Sequence, residues 1–416
     1  MTKYDIVIIG GGISGLYSAY KITKISPSTK ILLLEKNPKK WLGGRMGTET
    51  FAGTSVVTGA GVGRKEKDPM LIKLLRELDV PYSEFPVAPH YSNTIQPACD
   101  VKKTFLLLKS KYRHETHHSK TFKEFAISVI GDIAYKHFIV CSGYTDYEKE
   151  DAYETLHNYD FDDNYDPWTG VSIPWKRLID ALISRIGKSN IKSSHEVTNI
   201  SEGKDSSFLI STSKGNFECD KIILATTIDC LKKILPGASK KDSIYQQIRS
   251  QPFLRLYGKF SRESTTIMKE YVPKTTVVPG NLHKIIPMNP DGGVYMIAYS
   301  DNQGARALKK YKEDTSENRG YLCRLIEKSL GIEKNTLSMV SMIDFYWEEG
   351  THYYEPLHGP YKNRGEFISA AQHPMNNILV VGEMISTNQG WVKGALESVE
   401  LGLTSEFIHN TITNRT

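Results

Sequence analysis

Three glycines near the N-terminus and an acid at the end of the next apolar run could do phosphate and ribose chemistry. Gly10, Gly12 and Gly15 form G-x-G-x-x-G directly behind Asp5-Ile6-Val7-Ile8-Ile9. The first glycine permits a tight turn off a strand. The second lets backbone approach a pyrophosphate, and the third lets the next helix pack closely on the sheet. A helix from Ile13 to about Lys24, with Ser14 in its first turn, would aim its positive N-terminus at the phosphates. Glu35 closes the apolar run Ile31-Leu32-Leu33-Leu34, about 20 residues beyond Gly15, where an acid hydrogen-bonds ribose hydroxyls. Lys36 follows it. Strand, turn, helix, strand and acid in this order read as a dinucleotide site.

Gly43-Gly44-Arg45 comes shortly after. From this point the chain resembles the flavin-containing amine oxidases, of the monoamine and polyamine oxidase kind. In that family Gly-Gly-Arg follows the ribose-binding acid and lies on the FAD diphosphate, where a guanidinium pairs with phosphate in a bidentate manner. The resemblance implies that Gly59-Ala60-Gly61-Val62 brings backbone close to the flavin, through Gly61 and Val62 in particular. It implies that Val197, in His195 to Ile200, binds adenine through its backbone. Asn377 to Val381 reads as a buried strand, and the Gly382-Glu383 that ends it looks like the family's second FAD signature. Trp391 and Val392 would open a last helix whose amides face the flavin C2 carbonyl. Thr58 to Arg64 could pass for a second glycine fingerprint, but Arg64 occupies the third glycine's place. No cysteine follows Cys323, so FAD is expected to be non-covalent.

The same resemblance assigns the reacting side chains. Many members place a Lys near flavin N5, on the strand that re-enters the substrate domain. Here that strand is Pro252 to Phe260, and alternation puts Arg255, Tyr257 and Lys259 on one face. Arg255 aligns with the family Lys, with Lys259 as the other candidate; an Arg cannot usefully deprotonate. Amine oxidases also hold the substrate nitrogen between two aromatic rings. Trp391 aligns with one, and His352 or Tyr353 supplies the other. No Ser/His/Asp triad is visible, and the flavin would carry the difficult chemistry.

The elements that must position these residues give an α/β fold. It is a Rossmann-type FAD-binding domain interleaved with a mixed-sheet plus helical substrate domain. The FAD-binding domain takes 1–79, 191–247 and 366–416; the substrate domain takes 80–190 and 248–365. Apolar spacing predicts helices at Met70 to Leu78, at Pro174 to Ile183 and over 303–330. Strands are predicted at Phe208-Leu209-Ile210 paired with Phe217-Glu218-Cys219, then at Asp220 to Thr227, Phe253 to Phe260, Thr275 to Val278, Val294 to Tyr299 and Met339 to Tyr346. Asp146 to Asp166 holds nine carboxylates against the single Lys149, interleaved with tyrosines. It reads either as a solvated acidic loop or as a funnel for cationic substrates.

Composition bounds the rest. The chain has 416 residues, 39% of them hydrophobic, enough for a large core. Its net charge of +6 comes from dispersed Lys and Arg, which gives nucleic-acid binding little support. No run of 18 apolar residues exists, the polar end 410–416 is not an anchor, and no leader precedes the first strand. The cytoplasm is the expected location. The five scattered cysteines read as reduced thiols, and neither they nor His114, His117 and His118 have metal-ligand spacing. The expected partners are a small-molecule amine and O2, which reoxidises the flavin to give H2O2; oligomeric state is left open. The expected reaction is hydride transfer from a primary or secondary amine, or a polyamine, to flavin N5. Two rivals use the same signatures: a desaturase or C–C oxidase on an apolar substrate, of the protoporphyrinogen oxidase or carotenoid desaturase kind, and an FAD-bound structural or regulatory protein.

Overall fold

The computed structural model describes residues 2–203 and 207–409, so the 410–416 end lies outside the described residues. One sheet is built around the first strand, Lys3–Ile9, which pairs in parallel with Ile31–Leu34 and with Gly215–Leu224. Ile191–Lys192 extends one edge in parallel. On the other side the long strand Gly215–Leu224 takes Ile378–Val380 in parallel near its end and the antiparallel ribbon Phe208–Thr212 and Val197–Glu202 near its start. The parallel strands are apolar where both faces are covered, in Ile6 to Ile9, Ile31 to Leu34 and Ile222 to Leu224: Ile6, Val7, Ile8, Leu32 and Leu33 are all buried. The helix Ile13–Ile25 starts directly after the glycine turn and packs against Trp175–Ile186 and Val392–Gly402 through Leu16, Ala19, Leu178, Leu182 and Leu396.

Gly10 and Gly15 are fixed by this packing. Gly10 has φ +111°, and a Cβ there would lie 2.3 Å from the Ala225 carbonyl oxygen. A Cβ on Gly15 would lie 1.9 Å from the Gly10 carbonyl oxygen, so helix and strand can approach only without it.

The second sheet is antiparallel, in the order Thr276–Val277, Lys284–Asn289, Val294–Asp301, Ile248–Phe260, Met339–Tyr354. Its last strand runs sixteen residues, eight beyond the predicted end at Tyr346. The extension places His352 and Tyr353 opposite Ser250 and Arg249, in regular register. The predicted helix over 303–330 is two helices, Asn302–Leu308 and Ser316–Leu330. A smaller sheet joins Gly63–Arg64, Trp168–Ser172 and Ser83–Val87. Beside it a helical cluster packs on its own aromatic core; Phe105 and Phe161 stack at 4.3 Å and Tyr147 is fully buried.

Two sequence expectations change here. Cys99 and Cys141 are joined in a disulfide, S–S 2.07 Å, with His137 beside them, so the cysteines are not all reduced thiols; Cys219, Cys230 and Cys323 are free. Scattered positions hid this pair because the chain folds back between them. The acidic segment is not a solvated loop: most of its carboxylates have internal partners, and Asp146, Asp160 and Asp163 border an internal cavity. Asp160 and Asp163 pair with Arg64 and Lys67, Asp151 and Glu154 with Arg364, Glu148 with Lys123, and Asp166 with Lys102. Glu150 is buried and accepts from the Thr155 hydroxyl at 2.7 Å. These cations come from distant parts of the chain, beyond the reach of local charge patterning. Among the described residues no helix is long and apolar enough to cross a membrane.

Candidate functional site

One cavity of about 2150 Å³ runs between the two large sheets. The glycine turn, the Gly43-Gly44-Arg45 bend, the Gly59 to Val62 loop and the Gly382 to Val392 segment form one part of its wall. The antiparallel sheet forms the other. Gly10, Gly12, Ile13, Ser14, Glu35, Lys36, Gly43, Gly44, Arg45, Gly61, Val62, Val197, Gly382, Glu383, Trp391 and Val392 all line it; Gly15 lies behind the turn in the helix–strand contact.

Gly12 differs from its two neighbours in the motif. Its backbone is ordinary (φ −72°, ψ 179°), and a Cβ there would meet no atom within 4 Å. Space, rather than conformation, is what glycine keeps open at this position. Glu35 is buried; one oxygen accepts from the Gly11 amide at 2.7 Å and the other from the Asn37 amide at 2.8 Å, which leaves lone pairs on both. Thr48, Thr58, Thr226 and Thr351 hydroxyls and the Gln389 carbonyl are buried on this wall with no protein partner among the described residues. Buried polar groups are normally paired. Five orphans around one cavity, beside an open glycine turn and a ribose-type acid, fit a long polar ligand such as FAD.

Glu383 ties the two parts of the wall together. One of its oxygens accepts from Arg45 Nη1 at 2.6 Å and from His352 Nδ1; the other accepts from the Gly390 amide at 3.0 Å. Burial alone would raise this carboxyl. Its contacts with His352, Arg45 and the Gly390 N–H hold it below the usual carboxylate range. The same Arg45 nitrogen donates to the Gly350 carbonyl at 2.8 Å, so the guanidinium is oriented before any phosphate arrives.

The expected reacting residues separate. Arg255 reaches the cavity and is buried between Phe253 and Tyr299, its guanidinium carbon 4.2 and 3.6 Å from the ring centroids. Lys259 does not line the cavity: it lies four residues further along the same strand face, beyond Tyr257, and its ammonium donates to the Gly292 carbonyl. His352 does not line it either. It is buried behind the wall, with Nδ1 on Glu383 and Nε2 accepting from the Ile228 amide at 3.3 Å, so it positions Glu383 and supplies no cage ring. Tyr353 points the other way, into a shallow cleft with Lys149 and Leu357, as strand alternation requires. Trp391 lines the cavity with the Arg64 guanidinium 3.8 Å from its ring. Arg64 is itself 1% exposed and pairs with Asp68, Asp160 and Asp163. The residue that breaks the second glycine fingerprint therefore holds Trp391 in place.

Further residues reach the cavity without any motif to mark them: Tyr144, Asp146, Lys284, Tyr299, Asp301 and Trp347. Lys284 carries the best sequence signal, a lone cation in the apolar strand Lys284–Asn289. Asp146 accepts from the Tyr159 hydroxyl at 2.5 Å, and Asp301 accepts from the Thr145 amide at 3.1 Å and its hydroxyl. Burial raises both carboxyls, Asp146 further through the charge of Asp301. Lys284 is half-buried, but its free surface opens on the cavity and not on bulk water, so burial still pushes its ammonium down to about 7.

Comparison with known proteins gives the family and the fold. Residues 13–399 match the family model for flavin containing amine oxidoreductase. The uncharacterized protein R188 of Acanthamoeba polyphaga mimivirus is 23% identical over 491 aligned residues, 96% of this chain and 92% of that one. Wild-type putrescine oxidase bound to putrescine shares the fold at TM-score 0.70, with 14% identity and 97% and 98% of the two chains covered. A candidate protoporphyrinogen oxidase from Exiguobacterium sp. 255-15 shares it at TM-score 0.71, with 15% identity and 99% and 100% coverage. The protein belongs to the flavin-containing amine oxidoreductases and is an FAD-dependent oxidoreductase.

Proposed function

We propose that the protein oxidises a primary or secondary amine, polyamines among the candidates, with O2 as electron acceptor, releasing H2O2 and an imine that water converts to an aldehyde. FAD, held non-covalently, supplies the hydride acceptor for the C–H bond beside nitrogen. The chain's own task is to bind the amine, remove its extra proton and exclude water. The observation that carries the reading is the polar character of the wall opposite the glycine turn. An amine arrives as an ammonium and must be neutral before it gives up hydride. Asp146 and Asp301, raised by burial, are placed to take that proton, since a base works best when its pKa approaches the working pH. Trp391, fixed by Arg64, is the proposed aromatic beside the reacting nitrogen. A polyene desaturase would need an apolar tunnel here, and four charged side chains, Asp146, Arg255, Lys284 and Asp301, argue against one.

The test is anaerobic reduction of the purified yellow protein by a panel of amines, a polyene and a tetrapyrrole. Bleaching by an amine supports the proposal. Bleaching only by the polyene or tetrapyrrole moves the assignment to the desaturase class, and a flavin that nothing reduces favours a structural role.

A further inference from the structure

Two cations on the cavity wall lack the partners that enclosed charges normally have. Arg255 is 5% exposed, yet no carboxylate among the described residues lies within 4 Å of its guanidinium. Its hydrogen bonds are two long ones to carbonyls, Nε to Gly59 at 3.3 Å and Nη1 to Leu254 at 3.4 Å, and Nη2 has no acceptor among the described residues. Lys284 is similar: its ammonium makes no ion pair or hydrogen bond among the described residues and lies 3.3 Å from the Tyr144 ring centroid. Both cations lie against Tyr299, Arg255 at 3.6 Å and Lys284 at 5.9 Å from its centroid. The nearby carboxylates are turned to other donors, Asp301 to Thr145 and Asp146 to Tyr159. An enclosed charge that stays unpaired costs several kcal/mol. Other buried cations of this protein are satisfied: Arg64 has three carboxylates, Arg364 has two, and the Lys221 ammonium donates to the Phe407 and Ile408 carbonyls at 2.6 and 3.0 Å.

We propose that Arg255 and Lys284 together bind a carboxylate on the substrate, so that the amine oxidised is a carboxylate-bearing one, of the amino-acid class, and not a simple monoamine or polyamine. This rests on the amine-oxidation reading and narrows it. The planar guanidinium fork presents Nη2 to one carboxylate oxygen, and the ammonium can take the other. Arg255 keeps its charge at any pH at which the protein folds, so the subsite always has at least one cation. A diamine placed here would set its second ammonium against the fixed charge of Arg255 and, when protonated, that of Lys284.

The experiment compares amines that differ only by a carboxylate: ornithine with putrescine, lysine with cadaverine, phenylalanine with phenethylamine. Each is titrated anaerobically into the FAD holoenzyme and flavin bleaching is followed. In at least one pair the amino acid should half-saturate at a concentration about 10- to 100-fold lower than its decarboxylated partner, the range for one or two charge-assisted hydrogen bonds. Lys284→Met and Arg255→Met should each remove most of that preference, and Arg255→Lys should keep part of it. A decarboxylated amine that bleaches the flavin as well as its amino acid overturns the carboxylate subsite while leaving amine oxidation standing. If no member of any pair bleaches the flavin, amine oxidation itself fails. The subsite then stands or falls on benzoate: saturable perturbation of the flavin spectrum, weakened about tenfold or more in Lys284→Met, supports it, and no saturable perturbation refutes it. FAD content and melting temperature of each variant show that a lost signal is not lost fold.

Discussion

Gly12→Val separates cofactor binding from folding more cleanly than any other change in the glycine turn. At Gly10 and Gly15 an added Cβ would fall 2.3 and 1.9 Å from backbone oxygens, so substitutions there break the strand–helix contact with or without cofactor. At Gly12 the backbone is extended and a Cβ meets nothing within 4 Å. The apoprotein should therefore accept valine at a cost of about 1 kcal/mol or less, chiefly from a poorer helix N-cap. The three added carbons project into the space beside the first amides of the Ile13–Ile25 helix. They would displace a pyrophosphate from two or three charge-assisted N–H contacts worth roughly 1.5–3 kcal/mol each. A loss of about 4–6 kcal/mol is a weakening of roughly 10³- to 10⁴-fold. The assay is gel filtration after FAD loading, with visible absorbance for retained flavin and far-UV circular dichroism for fold. Gly12→Val should elute colourless with an unchanged dichroism spectrum. A yellow Gly12→Val protein would refute the placement of the diphosphate at this turn, and a colourless but unfolded one would refute the claim that the space at Gly12 is kept for a ligand.

Removing Arg64 with Arg64→Met should destabilise the protein by about 3–5 kcal/mol, because Asp68, Asp160 and Asp163 lose their shared buried cation; urea unfolding of wild type and variant measures it. Lys284 has a folded-state pKa of about 7 against an ordinary 10.5, so the unfolded chain binds more protons between those values and stability rises with pH across that window. The rise is bounded at about 5 kcal/mol, burial and Arg255 widening the window while Asp301, Asp146 and Asp163 narrow it; in Lys284→Met the melting temperature should climb less from pH 7 to 9, and equal slopes would contradict the enclosed ammonium. Denatured, unreduced protein should titrate as three thiols and reduced protein as five, and five before reduction would exclude the Cys99–Cys141 bond.

How much of this could be read from the chain depends on how far apart the interacting residues lie. The glycine turn, the helix Ile13–Ile25, the strand Ile31–Leu34 and Glu35 follow one another in sequence, and local periodicity with turn chemistry specifies them almost residue by residue. Gly382-Glu383 and Trp391 were legible as signatures, but their partners were not. Glu383 depends on Arg45, 338 residues away, and on His352 across the strand; Trp391 depends on Arg64. The reacting wall was least legible. His352 and Tyr353 look equivalent on an aromatic run, and only the extension of Met339–Tyr354 past the register shift around Gly350 sends them to opposite sides, neither toward the cavity. Lys259 and Arg255 share one strand face, but the sequence does not show how far along it the cavity extends, and Lys259 lies beyond its end. Lys284 and Asp301 lie on strands whose patterns read only as core, and Asp146 hides in a run of acids most of whose other members are neutralised by cations from elsewhere. Cofactor binding in this fold is thus written in short, contiguous motifs, because backbone must approach a long ligand. Substrate selection is written in single side chains from separate strands. On the proposed reading Arg255 would belong to both: the resemblance aligns it with the family lysine near the flavin, and Lys284, which no motif marks, would join it in holding a substrate carboxylate.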